Sequence, residues 1–285
     1  MRELDLEIGA LNVGGNRFEQ LRVQLAPSPW RLAVSNPQLD GRLEWPAGSG
    51  QPYRLLLERL QLPRPEGSGK AEAAPPQDDP EPIDIGSLPP VDIRIASLRL
   101  GDEAFGSWQL GLRPAGSRMR FEGLEGRVGG LSIRGEGVWQ EQPASTELTL
   151  RLQGDDLGDL LSAWGNGRVL ESERAEGYLQ LAWPQRPWNF ALARSRGELQ
   201  FALEDGRIID SGSASNVLRL FGILNLNSLA RRLKLDFSDL LQSGLAFDRL
   251  SGRYGLERGW RAPLSRCGSR AFGQYDHDRA AGCRR

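Results

Sequence analysis

Residues 205–252 read DGRIIDSGSASNVLRLFGILNLNSLARRLKLDFSDLLQSGLAFDRLSG and contain the pattern that decides the fold. Two runs in which apolar and polar side chains alternate flank an apolar insert, residues 213–233, whose spacing predicts a helix. Alternation with a period of two is typical of a β-strand that has one buried face and one hydrated face. Asp205-Gly206 predicts a hairpin turn, because this pair tolerates positive φ. The stretch therefore predicts one-sided β structure interrupted by a helical insert.

The same alternation continues through most of the preceding sequence. It is clear in residues 4–8 (LDLEI), 178–183 (YLQLAW) and 198–203 (ELQFAL), and about fifteen such runs of strand length occur in all. Gly14-Gly15-Asn16 predicts a hairpin turn between the first two of them. Residues 156–165 (DLGDLLSAWG) predict a short capped helix with one apolar stripe. The fold class is thus mainly β with a few short helices.

An internal repeat relates the N-terminal region to the middle of the chain. Leu4-Asp5-Leu6-Glu7-Ile8 aligns with Val91-Asp92-Ile93-Arg94-Ile95 at an offset of 87 residues. Each copy is followed by a Gly-x-x-x-Trp ending, at residues 41–45 and 135–139. Repeats that each expose an apolar face usually stack on one another, so we expect the two copies to stack.

Composition divides the chain into four parts. Residues 1–62 form a first β segment, and residues 63–90 form a disordered loop or linker with eight prolines, which cannot donate to a strand ladder. Residues 91–258 form a second β region that contains the helical insert. From about residue 259 the alternation stops, and the only histidine and both cysteines follow. We interpret residues 259–285 as an aberrant, disordered tail and hypothesise a frameshift in the coding sequence.

The residue types present exclude several classes of function. The net charge of −1 argues against a nucleic-acid partner, which normally requires a basic excess. Without His or Cys before residue 267, His-based triads and His/Cys metal sites are excluded there. The acidic cluster at Asp155, Asp156 and Asp159 would suit a glycosidase only if two carboxylates faced each other, and acids at a helix start are the simpler interpretation. We expect neither an enzyme nor a cofactor.

Apolar faces on so many strands must be covered by something. Full burial of one such side chain contributes ~1.5–3 kcal/mol, and the predicted helices are too few and too short to cover the sheet. Two possibilities remain: a dry sandwich of two sheets, which would be a structural scaffold, or an open curved sheet whose apolar concave face holds acyl chains. The period alone does not separate them.

Residues 226–252 resemble the C-terminal pattern of the YhdP-type AsmA-like family. That pattern reads roughly Leu-x-x-Leu-x-Arg-Arg-Leu-x-Leu-Asp-Phe-x-Asp-(Leu/Val)-x-x-x-Gly-x-x-Phe-Asp-x-Ile-x-Gly. The positions that fill it here are Arg231, Arg232, Leu233, Leu235, Asp236, Phe237, Asp239, Gly244, Phe247, Asp248 and Gly252. The resemblance covers most of residues 90–257 and is weaker over residues 1–62.

The resemblance implies a large envelope protein of Gram-negative bacteria, anchored in the inner membrane, with a long β-groove across the periplasm. It further implies non-enzymatic movement of phospholipid between the inner and outer membranes, which supports the outer-membrane barrier. No apolar leader follows Met1, so we expect this chain to be the C-terminal part of a longer protein, without its own export signal or anchor.

On this basis we expect a long, curved, mostly antiparallel β-sheet that forms a groove. Its partners would be phospholipid, the membrane surface and other envelope proteins. The candidates for the lipid lining are Leu179, Leu181, Trp183, Leu199, Phe201 and Leu203. The candidates for contact with a membrane or a headgroup lie in the helical insert and are Leu218, Phe221, Leu224, Arg231 and Arg232. The alternative is a structural β scaffold for envelope protein assembly without lipid cargo.

Overall fold

A computed structural model describes residues 4–13, 16–27, 30–63, 82–159, 170–190, 194–208 and 245–257. These residues form fifteen strands that belong to one sheet. The strands are β1 (Leu4–Val13), β2 (Asn16–Ala26), β3 (Arg31–Ser35), β4 (Leu39–Glu44), β5 (Tyr53–Leu62), β6 (Val91–Ile95), β7 (Leu98–Leu100), β8 (Glu103–Ala104), β9 (Ser107–Ala115), β10 (Arg118–Val128), β11 (Leu131–Gln140), β12 (Ser145–Gly154), β13 (Leu170–Trp183), β14 (Arg196–Ile208) and β15 (Leu245–Glu257). Two 3-10 helices, Ile85–Ser87 and Pro187–Asn189, precede β6 and β14.

The strands follow one another across the sheet almost in chain order. The path runs from β1 to β6, continues with β9 and ends at β15, and the short β7 and β8 branch from it beside β5. In the part of the chain that the structure describes, β5 pairs in parallel with β6 and β7, and the remaining pairs are antiparallel. The predicted fold class, a large and open curved sheet with few helices, is confirmed.

The internal repeat is visible in the register of the strands. Leu4 lies opposite Leu25 in the first hairpin, and Val91 lies opposite Leu112 in the second, so each pair is displaced by the same 87 residues. The second hairpin is interrupted where β6 ends, and its continuation, β7, pairs with β5 and β8. Both copies lie side by side in one sheet, with β3 to β5 between them, and are not stacked as two layers.

The predicted hairpin turn at Asp205-Gly206 is wrong, because both residues lie inside β14. Asp205 does have the positive φ, 49°, that the pair suggested. The positive φ shifts by one residue the set of side chains that face the core, and the strand continues. Leu203 on one side and Phe247, the partner of Gly206, on the other pack in the same apolar cluster.

The core lies along one face of this sheet in three apolar clusters. The first is centred on β1 to β5 around Leu21, the second on β9 to β12 around Ile85, and the third on β10 to β15 around Val128. Ile85, only 1% exposed, belongs to the predicted linker. Residues 82–90 of that linker therefore pack against the sheet, and residues 64–81 lie outside the described part of the chain.

Several predicted segments fall partly or wholly outside the described residues. Of the short helix predicted over residues 156–165, residues 157–159 are helical, Asp156 directly precedes them, and residues 160–165 are not described. The helical insert, residues 213–233, and the tail, residues 259–285, also lie outside. No helix in the described ranges combines the length and the apolar character needed to cross a membrane.

Candidate functional site

An unbroken row of apolar residues crosses the whole sheet. It contains one residue from each of the thirteen strands on the main path, each opposite the next. The row consists of Leu6, Val23, Val34, Gly41, Leu57, Ile95, Trp108, Gly126, Ile133, Leu152, Gly177, Phe201 and Gly252. Twelve spacings of about 4.8 Å make the row ~58 Å long.

The adjacent row, which is displaced by one residue on every strand, lies on the opposite face of the sheet and is mostly polar. It contains Arg42, Leu56, Arg94, Gln109, Glu125, Arg134, Arg151, Tyr178, Gln200 and Arg253. From β4 to β15 the sheet thus has an apolar face and a polar face, as the period of two requires.

The burial of the apolar face indicates that it is the inner face of the curve. In β10, for example, Met119, Phe121, Gly126 and Val128 are buried, whereas Arg118, Arg120, Glu125 and Arg127 are exposed. Side chains on the inner side of a curved sheet crowd together, and those on the outer side separate. We call this inner apolar face the trough. At its β1 edge it is open, since Leu4 and Leu6 remain about half exposed.

All six residues predicted to line a groove lie on the trough face. Leu179 is directly opposite Leu199, Phe201 is opposite Gly177, and Leu203 is opposite Ala175. Leu181 and Trp183 follow on the same face of β13. Trp183 and Leu203 are buried, and Leu179, Leu181, Leu199 and Phe201 are half-buried. Whether any of them contacts lipid stays a prediction.

Glycines that the sequence analysis did not single out shape the same surface. A Cβ on Gly137 would lie 2.5 Å from Leu148 Cδ2, and a Cβ on Gly126 would lie 2.6 Å from the Trp108 ring. Leu148 and Trp108 are the direct cross-strand partners of these glycines. The large side chains therefore lie across the glycines and project less far from the sheet into the trough. The large-residue–glycine pairing could be identified only once the strand register was known.

One lip of the trough is covered by two connecting segments. We define this lip as the margin that carries the β2–β3, β4–β5, β9–β10, β11–β12 and β13–β14 connections. Ile85 packs there against Met119, Phe121 and Trp139. On the neighbouring strands, Trp188 meets Trp139 edge-on at 5.3 Å between ring centroids. Together these contacts close part of the trough from β9 to β13.

Glu141, in the β11–β12 connection, links the two covering segments through a buried ion pair with Arg186 and a hydrogen bond from Ile83. Arg186 Nε donates to both carboxylate oxygens of Glu141, at 3.0 and 3.1 Å, and Arg186 Nη2 donates to the same carboxylate. The backbone N–H of Ile83 donates to Glu141 Oε1 at 3.1 Å. Arg186 is 3% exposed, so the pair is well removed from water.

The pKa of Glu141 follows from these contacts. Burial alone raises the pKa of this carboxyl, but the hydrogen bonds from Arg186 and from the Ile83 N–H outweigh burial and leave the pKa below its usual range. Glu141 is therefore ionised at neutral pH and holds the lip together as a charged group.

Of the acidic residues considered for catalysis, Asp156 has a role in local structure. Asp156 Oδ1 accepts hydrogen bonds from the backbone N–H groups of Gly158, at 2.7 Å, and of Ser172, at 3.3 Å. In the described residues no group of three His, Cys, Asp or Glu side chains is arranged to hold a metal ion. The predicted membrane and headgroup residues Leu218, Phe221, Leu224, Arg231 and Arg232 lie outside the described part of the chain.

In the part of the chain that the structure describes, these features define a class: a protein with one large, open, curved β-sheet and a continuous apolar trough. A family model described as "YhdP protein" matches residues 2–261, and the chain belongs to this family, as its sequence pattern predicted. The chain is also similar to the "Intermembrane phospholipid transporter YhdP" of Escherichia coli (strain K12), with 23% identity over 255 residues. That alignment covers 87% of this chain and 20% of the relative, so the chain spans about a fifth of the relative's length. No solved structure matches it.

Proposed function

We propose that the trough holds or conducts phospholipid between the inner and outer membranes, without enzymatic chemistry, and so supports the outer-membrane barrier. The observation that carries the proposal is the row of thirteen residues, all apolar or glycine, that crosses every strand of the main path. An acyl chain that lies along this row would contact only apolar side chains and glycines of the row. The family relationship to an intermembrane phospholipid transporter supports the same function.

The energetics favour an apolar occupant. Soluble monomers rarely leave contiguous apolar patches larger than a few hundred Å² open to water, and each fully covered side chain contributes ~1.5–3 kcal/mol. All strands in the described ranges belong to one sheet, so that part of the chain provides no second sheet to cover the trough. A hydrocarbon chain supplies the missing apolar contact. The protein would then act in the periplasm, in a parent anchored to the inner membrane, with phospholipid and membrane surfaces as its partners.

The experiment is mass spectrometry of the organic extract of the purified chain. Leu179 and Leu199 are the best positions to change, because they oppose each other in the trough and are only half-buried. Leu203, at 3% exposed, is less suitable because a charge there would endanger the fold. We expect the wild-type chain to carry phospholipid and the variant Leu179→Asp/Leu199→Asp to lose at least about 90% of it, since a carboxylate is costly against hydrocarbon.

The matched control is Gln180→Asp/Gln200→Asp. It adds the same two charges to the same two strands on the outer face, and its lipid content should equal that of the wild type. Circular dichroism checks that both variants keep the sheet. Equal lipid in both variants, or no lipid in the wild type, contradicts the proposal. A specific protein that co-purifies in place of lipid would favour the alternative, a scaffold for envelope proteins.

A further inference from the structure

The outer face of the sheet contains a depression that the trough does not explain. Its volume is about 550 Å³ and it extends from β4 to β11. Most of the residues that line it lie on the polar face, and the trough residues Leu57, Ile95, Trp108 and Gly126, which also line it, lie between them in the chain. The depression is therefore on the side of the sheet opposite the trough.

Both small side chains and long charged side chains line the depression. Ala96, Ser107 and Ser132 are among the small ones, and Ser107 and Ser132 flank Arg127 as its cross-strand partners on either side. Strand irregularities border it on both sides: β4 and β5 shift register between Asp40 and Gly41, and β10 shifts between Glu122 and Glu125. Bulges bend strands and increase their twist, and we attribute the local hollow in this face to them.

The charge of the lining residues is unbalanced. Four arginines and two glutamates line the depression, which leaves a positive excess in a chain whose net charge is −1. Glu125 accepts a hydrogen bond from Gln109 Nε2 at 2.9 Å, and Arg42 pairs with Glu44, outside the depression, also at 2.9 Å. Among the described residues, Arg94, Arg127 and Arg134 make no ion pair.

We propose that this depression binds a phosphate group, with Arg94, Arg127 and Arg134 as the cationic ligands and the hydroxyls of Ser107 and Ser132 as further donors. Guanidinium groups match phosphate oxygens with two parallel N–H donors and stay charged at every physiological pH. Hydroxyl groups complete such sites because they donate without adding charge. The phosphate can belong to a lipid headgroup or be free in solution. The proposal does not rest on the proposed function of the trough.

The test is a binding titration on the full chain at low salt, first with inorganic phosphate followed by phosphorus NMR. The variant Arg94→Gln/Arg127→Gln/Arg134→Gln should weaken binding at least about tenfold, because each charge-assisted hydrogen bond is strong. The control Arg17→Gln/Arg22→Gln/Arg174→Gln removes the same charge from exposed arginines elsewhere on the sheet and should bind as the wild type does. Thermal unfolding verifies that both variants fold.

A second arm identifies the source of the phosphate. Co-sedimentation with phosphatidylcholine vesicles, with and without phosphatidylglycerol, shows whether an anionic headgroup is bound through the same arginines. Vesicle binding that the depression variant loses and the control keeps supports a lipid headgroup, and binding of inorganic phosphate alone supports a soluble phosphate. Equal binding by the two variants in both arms, or no binding by the wild type in either, overturns the site. Lipid extracted from the trough should not change in either variant.

Discussion

Glu141 and Arg186 are buried together at the lip of the trough, where each neutralises the charge of the other. Burying an ion pair adds little net stability, but removing one partner leaves the other charge uncompensated. Arg186 also lies 5.8 Å from the centre of the Trp188 ring, and its backbone carbonyl accepts from Trp183 Nε1 at 3.1 Å. The pair thus fixes the β13–β14 connection onto the trough.

Replacement of Arg186 by Met should lower the free energy of unfolding by about 3–5 kcal/mol, because the Glu141 carboxylate would remain buried and unpaired. Urea unfolding measures this value. The control is Arg17→Met, which breaks a salt bridge whose side chains are 66% and 64% exposed, and should cost under about 1 kcal/mol. Similar losses in the two variants would mean that the lip pair is not a buried charge pair.

The depressed pKa of Glu141 predicts a pH dependence with a definite sign. A carboxyl whose pKa is lower in the folded state than its ordinary value of 4.5 stabilises the fold above that value. The contribution is lost as pH falls from 4.5 through the folded pKa. We expect the acid-induced loss of stability below pH 4.5 to be weaker in Glu141→Gln than in the wild type. Identical urea midpoints across this range in both proteins would contradict the assignment.

Gly137 tests whether the flat packing of large side chains matters. A Cβ there would lie 2.5 Å from Leu148 Cδ2 and 2.6 Å from the backbone oxygen of Glu147, and a backbone atom cannot move aside cheaply. Gly137→Ala should cost about 1–3 kcal/mol through overpacking. Gly9→Ala is the matched control in β1, where nothing lies within 4 Å of the added carbon, and it should be nearly neutral. Calorimetry that shows equal effects would refute this role.

At the scale of the strand, Asp205 keeps β14 in the sheet while the alternation changes phase. Its φ of 49° is readily reached by Gly and Asn but disfavoured for a β-branched residue. Asp205→Val should therefore lower the free energy of unfolding by about 1–2 kcal/mol, and Asp205→Gly and Asp205→Asn should stay near the wild type. Thermal melts of the three variants give the comparison. A neutral Val substitution would show that the positive φ is not required.

The elements were predictable to the extent that local pattern determines them. Alternation located the strands in the described ranges, and Gly14-Gly15-Asn16 marked the hairpin that joins Val13 to Asn16. The hairpin turn predicted at Asp205-Gly206 was wrong because an Asp-Gly pair indicates only positive φ. Positive φ occurs in an irregular strand as well as in a turn. The burial of Ile85 was not predictable, since one apolar residue in a proline-rich segment does not reveal its partner.

The candidate residues of the trough were predictable for the same reason. A period of two places Leu179, Leu181 and Trp183 on one face without any knowledge of the partner strands. The register that brings Leu179 opposite Leu199 and Gly137 opposite Leu148 depends on pairings between distant residues. The continuous row, the glycines beneath the large side chains and the arginine-lined depression therefore emerged only from the three-dimensional structure.

At the scale of the whole molecule, strand order decides between the two architectures that the sequence left open. Pairing of β5 with β6 joins the first β segment to the second in a single sheet, so the apolar faces of both segments form one surface. A sandwich would have required the same faces to turn toward each other. Period-two alternation is identical in both arrangements, which is why the choice could not be made from the pattern.

Site-specific photocrosslinking along β13 measures most directly what the trough contacts. A photoreactive phenylalanine analogue is placed in turn at Tyr178, Leu179, Gln180 and Leu181, the chain is irradiated in cell envelopes, and the adducts are identified by mass spectrometry. If the trough holds lipid, we expect phospholipid adducts at Leu179 and Leu181, which lie on the trough face, and none at Tyr178 and Gln180, which lie on the opposite face. Adducts without this alternation, or protein adducts alone at Leu179 and Leu181, would show that the apolar face does not hold lipid.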